Sequence, residues 1–331
     1  MKNKNRMYLL FCFLIVIYCL SSLTIFSWNS HYFLTELAVM NNQWIEEFTE
    51  IEVTPYRYAQ TDRSEYNPEF VIKYIREEIR GKTTAQDILI SYSDEPDWGL
   101  DTNLNLDKLQ KLTGGSQGYR HMYFSLGGGI FKAGKAPERA EHFWEMAKIA
   151  FNREDYYWGF RFTARALHYL QDLSQPYHTY PAPLEVLVKK LFNIKKLTIL
   201  VTNAHYGYED FNGYLFQDKK EEFINLLPQV RTVKIDSVEK AAIEISEQAR
   251  KDFDSSFRET LKIFPILNND EQLITLSQDE IVKIARAEES KKLLELMKKD
   301  ILLNLNYMNG FLNLLREFLM ENRLPLLTWL N

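Results

Sequence analysis

The sequence predicts an all-α fold, one large multi-helical domain over residues 28–331 behind an apolar leader at 1–27. Three observations carry this expectation. Proline and glycine are sparse, 10 and 13 in 331 residues, which favours helices over a turn-rich β fold. Apolar residues recur at three- and four-residue spacing through much of the chain. Helix start and stop signals separate those stretches, with no repeat or low-complexity linker between them, so one all-α domain is the simplest reading. A composition of 46% hydrophobic residues, with 21 Phe and 19 Tyr, can fill a sizeable core.

The leader comes first. Lys2, Lys4 and Arg6 precede an unbroken apolar run from Met7 to Phe26, a charged n-region followed by an h-region. The run is also just long enough to span a bilayer. Both readings export the chain, to a secreted, periplasmic or cell-surface location. Cleavage after Ser27 is the preferred reading and an uncleaved anchor the alternative. Both cysteines, Cys12 and Cys19, lie inside the run, preceded by Phe11 and Tyr18 rather than by lipobox residues. The exported body therefore has no disulfide and no thiolate. Its metal ligands must be His, Asp, Glu or backbone. Without Lys2, Lys4 and Arg6 the body carries 37 basic against 45 acidic residues, a formal charge of −8. That balance opposes a stable nucleic-acid partner.

The elements follow in order. Phe33, Leu34, Leu37, Ala38 and Val39 fit one helical face within 28–48. Residues 52–66 read as irregular, 69–80 as a short helix ending near Gly81. After apolar Ile88–Ile90, a loop rich in Asp, Gly, Pro and Asn extends to about 118. Pro137 opens a helix to about Asn152, and a third helical stretch runs from about Arg153 to Leu173. Residues 186–201 alternate apolar side chains with four lysines and predict a basic amphipathic helix. A half-buried surface helix is the plain reading, and contact with lipid headgroups the sharper one. A helix is expected over 237–264, stopped by Pro265. Ser277 and Glu280 form a capping box before another long helix, with Gly310 as a candidate break. The run G-I-F-K-A-G-K-A, Gly129 to Ala136, resembles a phosphate loop but has Ala136 where Ser or Thr must hold magnesium.

The densest chemistry lies in H-Y-L-Q-D-L-S-Q-P-Y-H, His168 to His178. His168 and Asp172 are four apart, so on a helix they share one face. Pro176 stops that helix, and His178 follows on backbone free to point elsewhere. His205 and Glu209 repeat the four-residue spacing. His31, Asp97 and His121 lie upstream. A lone helical His is usually a packing residue. Paired His-x-x-x-Asp and His-x-x-x-Glu in one cysteine-free domain suit zinc or a similar borderline metal. Closely spaced ions can clamp a phosphoryl group and activate water, so no Ser or Cys nucleophile is needed. His142 has no place in the pattern and is expected to be structural. Tyr119, Tyr123 and Tyr177 are expected in the core, with a choline cage as the alternative.

These motifs resemble the zinc-dependent phospholipase C and single-strand-specific nuclease superfamily. The residues that carry the resemblance are H-x-x-x-D-x(5)-H at His168, Asp172 and His178, then H-x-x-x-E at His205 and Glu209. Pro96–Asp97, His121 and the W-N-S-H of Trp28 and His31 also match. The resemblance implies a mostly helical fold with up to three Zn2+ ions. It implies one ion on Asp97, His121, His168 and Asp172, and a second on His178, His205 and Glu209. A third would sit on Trp28, through its terminal amine and carbonyl, with His31 and a bridging Asp172. Asp94 and Asp101 compete with Asp97 for its place. Asp97 is also the expected catalytic base. The activity implied is hydrolysis of phosphodiesters, with phospholipid favoured as substrate. A single-strand nuclease is the alternative, and a non-catalytic metal-binding membrane protein the third reading. Oligomeric state is not legible.

Overall fold

The structure is a computed structural model that describes residues 30–62, 66–75, 81–126, 129–190 and 192–322. The leader and Trp28 lie outside the described residues. Described are helices α1 (His31–Met40), α2 (Ala85–Tyr92), α3 (Ser116–His121), α4 (Ala136–Phe151), α5 (Tyr156–Ser174) and α6 (Leu184–Lys189). They continue with α7 (Ile194–Asp218), α8 (Lys220–Ile224), α9 (Val238–Ala249), α10 (Phe253–Ile263), α11 (Gln278–Ala285) and α12 (Lys291–Glu321). Two small antiparallel ladders, β1 (Ile51–Glu52) with β2 (Lys82–Thr83) and β3 (Phe124–Leu126) with β4 (Phe131–Ala133), are the strands among the described residues. None of the described helices is long and apolar enough to cross a membrane.

Helix α5 is the axis of the fold. Asp155 caps it by accepting from the Trp158 N–H, and every residue from Tyr157 to Ser174 is buried. It packs antiparallel on α4, with α2, α9 and α12 around it. Gly159 permits the α4 contact, since a Cβ there would meet the Phe151 ring at 2.5 Å. A helix buried on all sides is usually apolar. This one carries Arg161, Arg165, His168 and Asp172 along one face, at steps of four, three and four residues.

The first two members of that stripe are neutralised by Glu95, which sits in a short 3-10 turn, Glu95–Trp98. Glu95 Oε2 accepts from Arg161 Nε at 3.0 Å and from Arg165 Nε at 2.8 Å. Burial pushes this carboxyl up, but the two guanidinium groups outweigh it and hold it at about 2. Breaking a buried pair of this kind typically costs about 3–5 kcal/mol, because one charge is left uncompensated.

Several sequence expectations change in physical detail. Residues 69–75 are irregular rather than helical, and 76–80 lie outside the described residues. The Lys73 carbonyl accepts from Arg161 Nη2 and the Ile75 N–H donates to Tyr92 Oη, so tertiary partners override the local preference. The stretch 186–201 is two helices: the first ends at Lys189, and Asn193 caps the second by accepting from the Lys196 N–H. The expected helix over 237–264 breaks into α9 and α10 at a 3-10 turn, Arg250–Asp252. The capping box of Ser277 and Glu280 is present, yet it opens only the short α11.

Gly310 does not break α12. A Cβ there would lie 2.1 Å from the Val233 carbonyl oxygen, so this glycine admits a crossing segment. Helix propensity alone favours Gly310→Ala by ~1 kcal/mol, whereas overpacking costs ~1–3 kcal/mol. The expected outcome is a lower thermal midpoint for Gly310→Ala, read by circular dichroism. A raised midpoint would show that the Val233 segment yields freely.

Candidate metal centre

Four helices and two 3-10 turns bring the polar groups together. His168 and Asp172 come from the last turns of α5. Pro176 ends that helix, and a 3-10 turn, Pro176–His178, redirects His178. His31 is the first residue of α1, Asp97 lies in the 3-10 turn with Glu95, and His121 ends α3. His205 and Glu209 sit one turn apart on α7. Within the turn, Glu95 faces the arginines and Asp97 faces the histidines.

Among the described residues, three groups have ligand atoms close enough to hold a metal ion: His31, His168 and Asp172; Asp97, His121 and His168; and His178, His205 and Glu209. The first two share His168. Asp172 lies between the groups, with Oδ2 at 2.9 Å from His121 Nδ1 and 3.3 Å from His168 Nε2. Its Oδ1 is 3.6 Å from His31 Nε2 and 3.3 Å from His178 Nδ1. Asp97 Oδ1 is 3.5 Å from both His121 Nδ1 and His168 Nε2, and Oδ2 is 3.8 Å from His31 Nε2. Asp97, at 15%, is the most exposed side chain of these pairs.

The surrounding acceptors fix which imidazole nitrogen carries hydrogen. His168 Nδ1 donates to the Ser93 carbonyl at 2.7 Å, and His178 Nδ1 to the His121 carbonyl at 2.9 Å. A carbonyl can only accept. His31 Nδ1 meets Gln171 Oε1 at 2.7 Å, while Gln171 Nε2 donates to Thr35 Oγ1, so the amide oxygen faces the ring. His121 Nε2 lies 3.1 Å from Asp101 Oδ2. In neutral rings the four opposite nitrogens are therefore bare, and all four face the carboxylates. Two of them, His168 Nε2 and His121 Nδ1, stand 3.0 Å apart. Two lone pairs at that separation need a cation or a proton between them. Neither Asp172 oxygen nor His178 Nε2, all buried, has a hydrogen-bond partner among the described residues. Acceptors placed behind imidazoles in this way set ligand tautomers in metal sites.

Charge in the metal-free site is divided unevenly. Burial lowers His168 well below the ordinary imidazole range, helped by His31 and His121; burial also lowers His31. Burial likewise disfavours charge on His121, but Asp172 and Asp101 outweigh it and draw it up to about 10. His178 is raised by Asp172 and Glu209 against the same burial. Burial would raise Glu209, yet His205 and His178 hold it at about 2. Protons thus occupy part of the place that a cation would take.

The competing carboxylates have other tasks. Asp101 accepts from Arg120 Nη1 at 2.7 Å, from Arg139 Nη2 at 3.3 Å and from Tyr169 Oη, so it backs His121 from the far side. Asp94 takes the backbone N–H groups of His31 and Tyr32 at the start of α1. His142 pairs with Asp62, away from the cluster. Tyr177 stacks on His205 with ring centroids 5.2 Å apart, and Tyr119 and Tyr123 are buried.

Gln171 and Gln175 are the residues that sequence reading missed. Gln175 Nε2 lies 3.0 Å from His205 Nε2 and 3.1 Å from Glu209 Oε1. Both glutamines lie within the His168–His178 motif, and their positions beside the ligands are the only sequence signal they give. No protein-family model matches the chain, and no curated protein matches it either.

Losing an acceptor behind a ligating histidine typically weakens metal binding by ~10–100-fold. Gln171→Leu removes the acceptor of His31 and nearly keeps the volume. Competition with a chromophoric chelator should show weakening in that range. Unchanged affinity would mean that His31 is not a ligand.

Proposed function

We propose that this chain is an exported metal-dependent phosphodiesterase of the zinc-dependent phospholipase C kind, acting on phospholipids at the headgroup phosphate. One observation carries the reading: four buried histidines, each held at one ring nitrogen by an acceptor, turn the other nitrogen toward Asp172, Asp97 and Glu209. The donor set is all nitrogen and oxygen, in three groups that share or adjoin Asp172, which suits zinc. We assign one ion to Asp97, His121, His168 and Asp172, and a second to His178, His205 and Glu209. A third falls to His31 and Asp172, with Trp28 completing it.

When bound, zinc ions would activate a water for attack on phosphorus and offset the charge that develops on the phosphoryl oxygens. The chain's own residues do the rest. Asp172 holds the histidines of different elements around one carboxylate. Asp97, the most accessible carboxylate of the cluster, accepts a proton from the attacking water. The charge balance of the chain, −5 overall, opposes a nucleic-acid substrate, which needs a broad basic face.

The test is a substrate panel on protein with and without zinc. Phospho-headgroup release from phosphatidylcholine or phosphatidylglycerol is expected with zinc and is lost on chelation. Asp97→Asn should lower kcat by ~10²–10⁴-fold, the usual contribution of general base catalysis. Cleavage of single-stranded DNA without lipid turnover would replace this reading with the nuclease one. Metal uptake without turnover of either substrate would leave a binding protein.

A further inference from the structure

We propose that a face built from α6, the turn into α7 and the tip of the β3–β4 hairpin docks this protein on an anionic phospholipid bilayer. The inference rests on the phospholipid reading above and deepens it by naming the surface that meets the substrate.

The face is apolar where a soluble surface should not be. Phe192, in the turn between α6 and α7, is 93% exposed, and Ile130, at the hairpin tip, is 86% exposed. Leu184 and Val188 on α6 are about two-thirds exposed, at 67% and 66%. Scattered exposed apolar residues need no explanation. These do not scatter. Each lies within five residues of a small satellite cluster, in which Leu109, Phe131, Val186 and Leu187 pack on Ala182 and Leu197 and Val186 also touches the main core. Three chain segments thus gather apolar tips around one small cluster, as at a docking site.

Charge selects the occupant. Lys108, Lys132, Lys189 and Lys195 are exposed in the segments that build this face and have no carboxylate partner among the described residues, while of the acids there Glu185 pairs with Arg258 and Asp107 accepts from the Leu109 N–H. Lys190 and Lys196 differ, being engaged by Asp270. Apolar tips ringed by lysines match an anionic interface, where the tips enter the acyl boundary and the lysines meet phosphates. A two-fold copy of the chain would set these lysines against themselves. A nucleic-acid backbone gains nothing from Ile130, Leu184 and Val188.

The face is also in register with the metal centre. Leu197, Val201, His205 and Glu209 follow one another at four-residue steps along one face of α7. Leu197 and His205 are eight residues apart, about 12 Å along a helix. Docking through this cluster brings the ligand groups near the headgroup layer.

The experiment places tryptophan reporters in the full-length, zinc-loaded chain: Phe192→Trp and Ile130→Trp on the face, and Met40→Trp on the exposed end of α1 as the control. Vesicles of phosphatidylcholine and phosphatidylglycerol in equal parts carry brominated acyl chains, and quenching is read against the unsubstituted protein. Both face reporters should be quenched and Met40→Trp should not. Pure phosphatidylcholine should weaken the effect by at least ~10-fold, as a lysine ring requires. Phe192→Glu should weaken vesicle partitioning by ~10-fold or more, the worth of one buried aromatic side chain. Its hydrolysis of soluble bis-p-nitrophenyl phosphate should be unchanged. Unquenched face reporters, or equal quenching of all three through the leader, would overturn the proposal. So would a dimer that Phe192→Glu converts to monomer without any vesicle quenching. If the soluble diester is inert while the face reporters are quenched, docking stands and the phosphodiesterase reading fails. If the diester is cleaved and the reporters are silent, docking alone fails.

Discussion

Asp172 is a carboxylate with no exposed surface, and its two oxygens have no hydrogen-bond partner among the described residues. A buried charge left in that condition is among the most expensive features a fold can carry. What surrounds it is a set of imidazole nitrogens from three helices and one short turn, each within 3.6 Å. The placement of α1, α3 and the turn after α5 is therefore tied to one side chain. Those elements approach closely because a cation, or protons in its place, can hold histidines and carboxylates together there.

The same logic extends along α5. Its charged face is compensated at one end by Glu95 and at the other by the histidine cluster. Glu95 and Asp97 lie two residues apart on one 3-10 turn, so that short segment serves both halves. Behind the ligands lies a second layer: Ser93 to His168, Gln171 to His31, Asp101 to His121, and the His121 carbonyl to His178. Gln171 also joins α1 to α5 through Thr35, so the layer that sets ring orientation also locks helix packing.

The helical class, the helices at α4 and α5 and the spacing of His168, Asp172 and His178 were legible because they depend on local periodicity and on Pro176. The four-residue pair His205 and Glu209 was legible for the same reason. The break after Lys189 was not, because the apolar and lysine pattern runs on through it and the Asn193 cap is a single side chain within that pattern. The irregular segment at 69–75 was hidden because its hydrogen bonds go to Arg161 and Tyr92, which lie far away in sequence. Asp101 and Asp97 look equally suited to bind metal in one dimension. They separate only when Arg120, Arg139 and Tyr169 gather on Asp101. Gly310 reads as a helix breaker until the crossing segment at Val233 is in place. Trp28 lies outside the described residues, so the proposal that it holds a third ion rests on the W-N-S-H motif alone.

X-ray absorption at the zinc edge, on protein purified without added metal, bears most directly on whether Asp172 sits within a multinuclear centre. A bridged cluster requires a nitrogen and oxygen shell near ~2.0–2.2 Å with no sulfur. It also requires an outer metal neighbour at ~3.5–4 Å. That neighbour should vanish in Asp172→Ala. A zinc-free protein that stays folded, or a single isolated ion unaffected by Asp172→Ala, would contradict it.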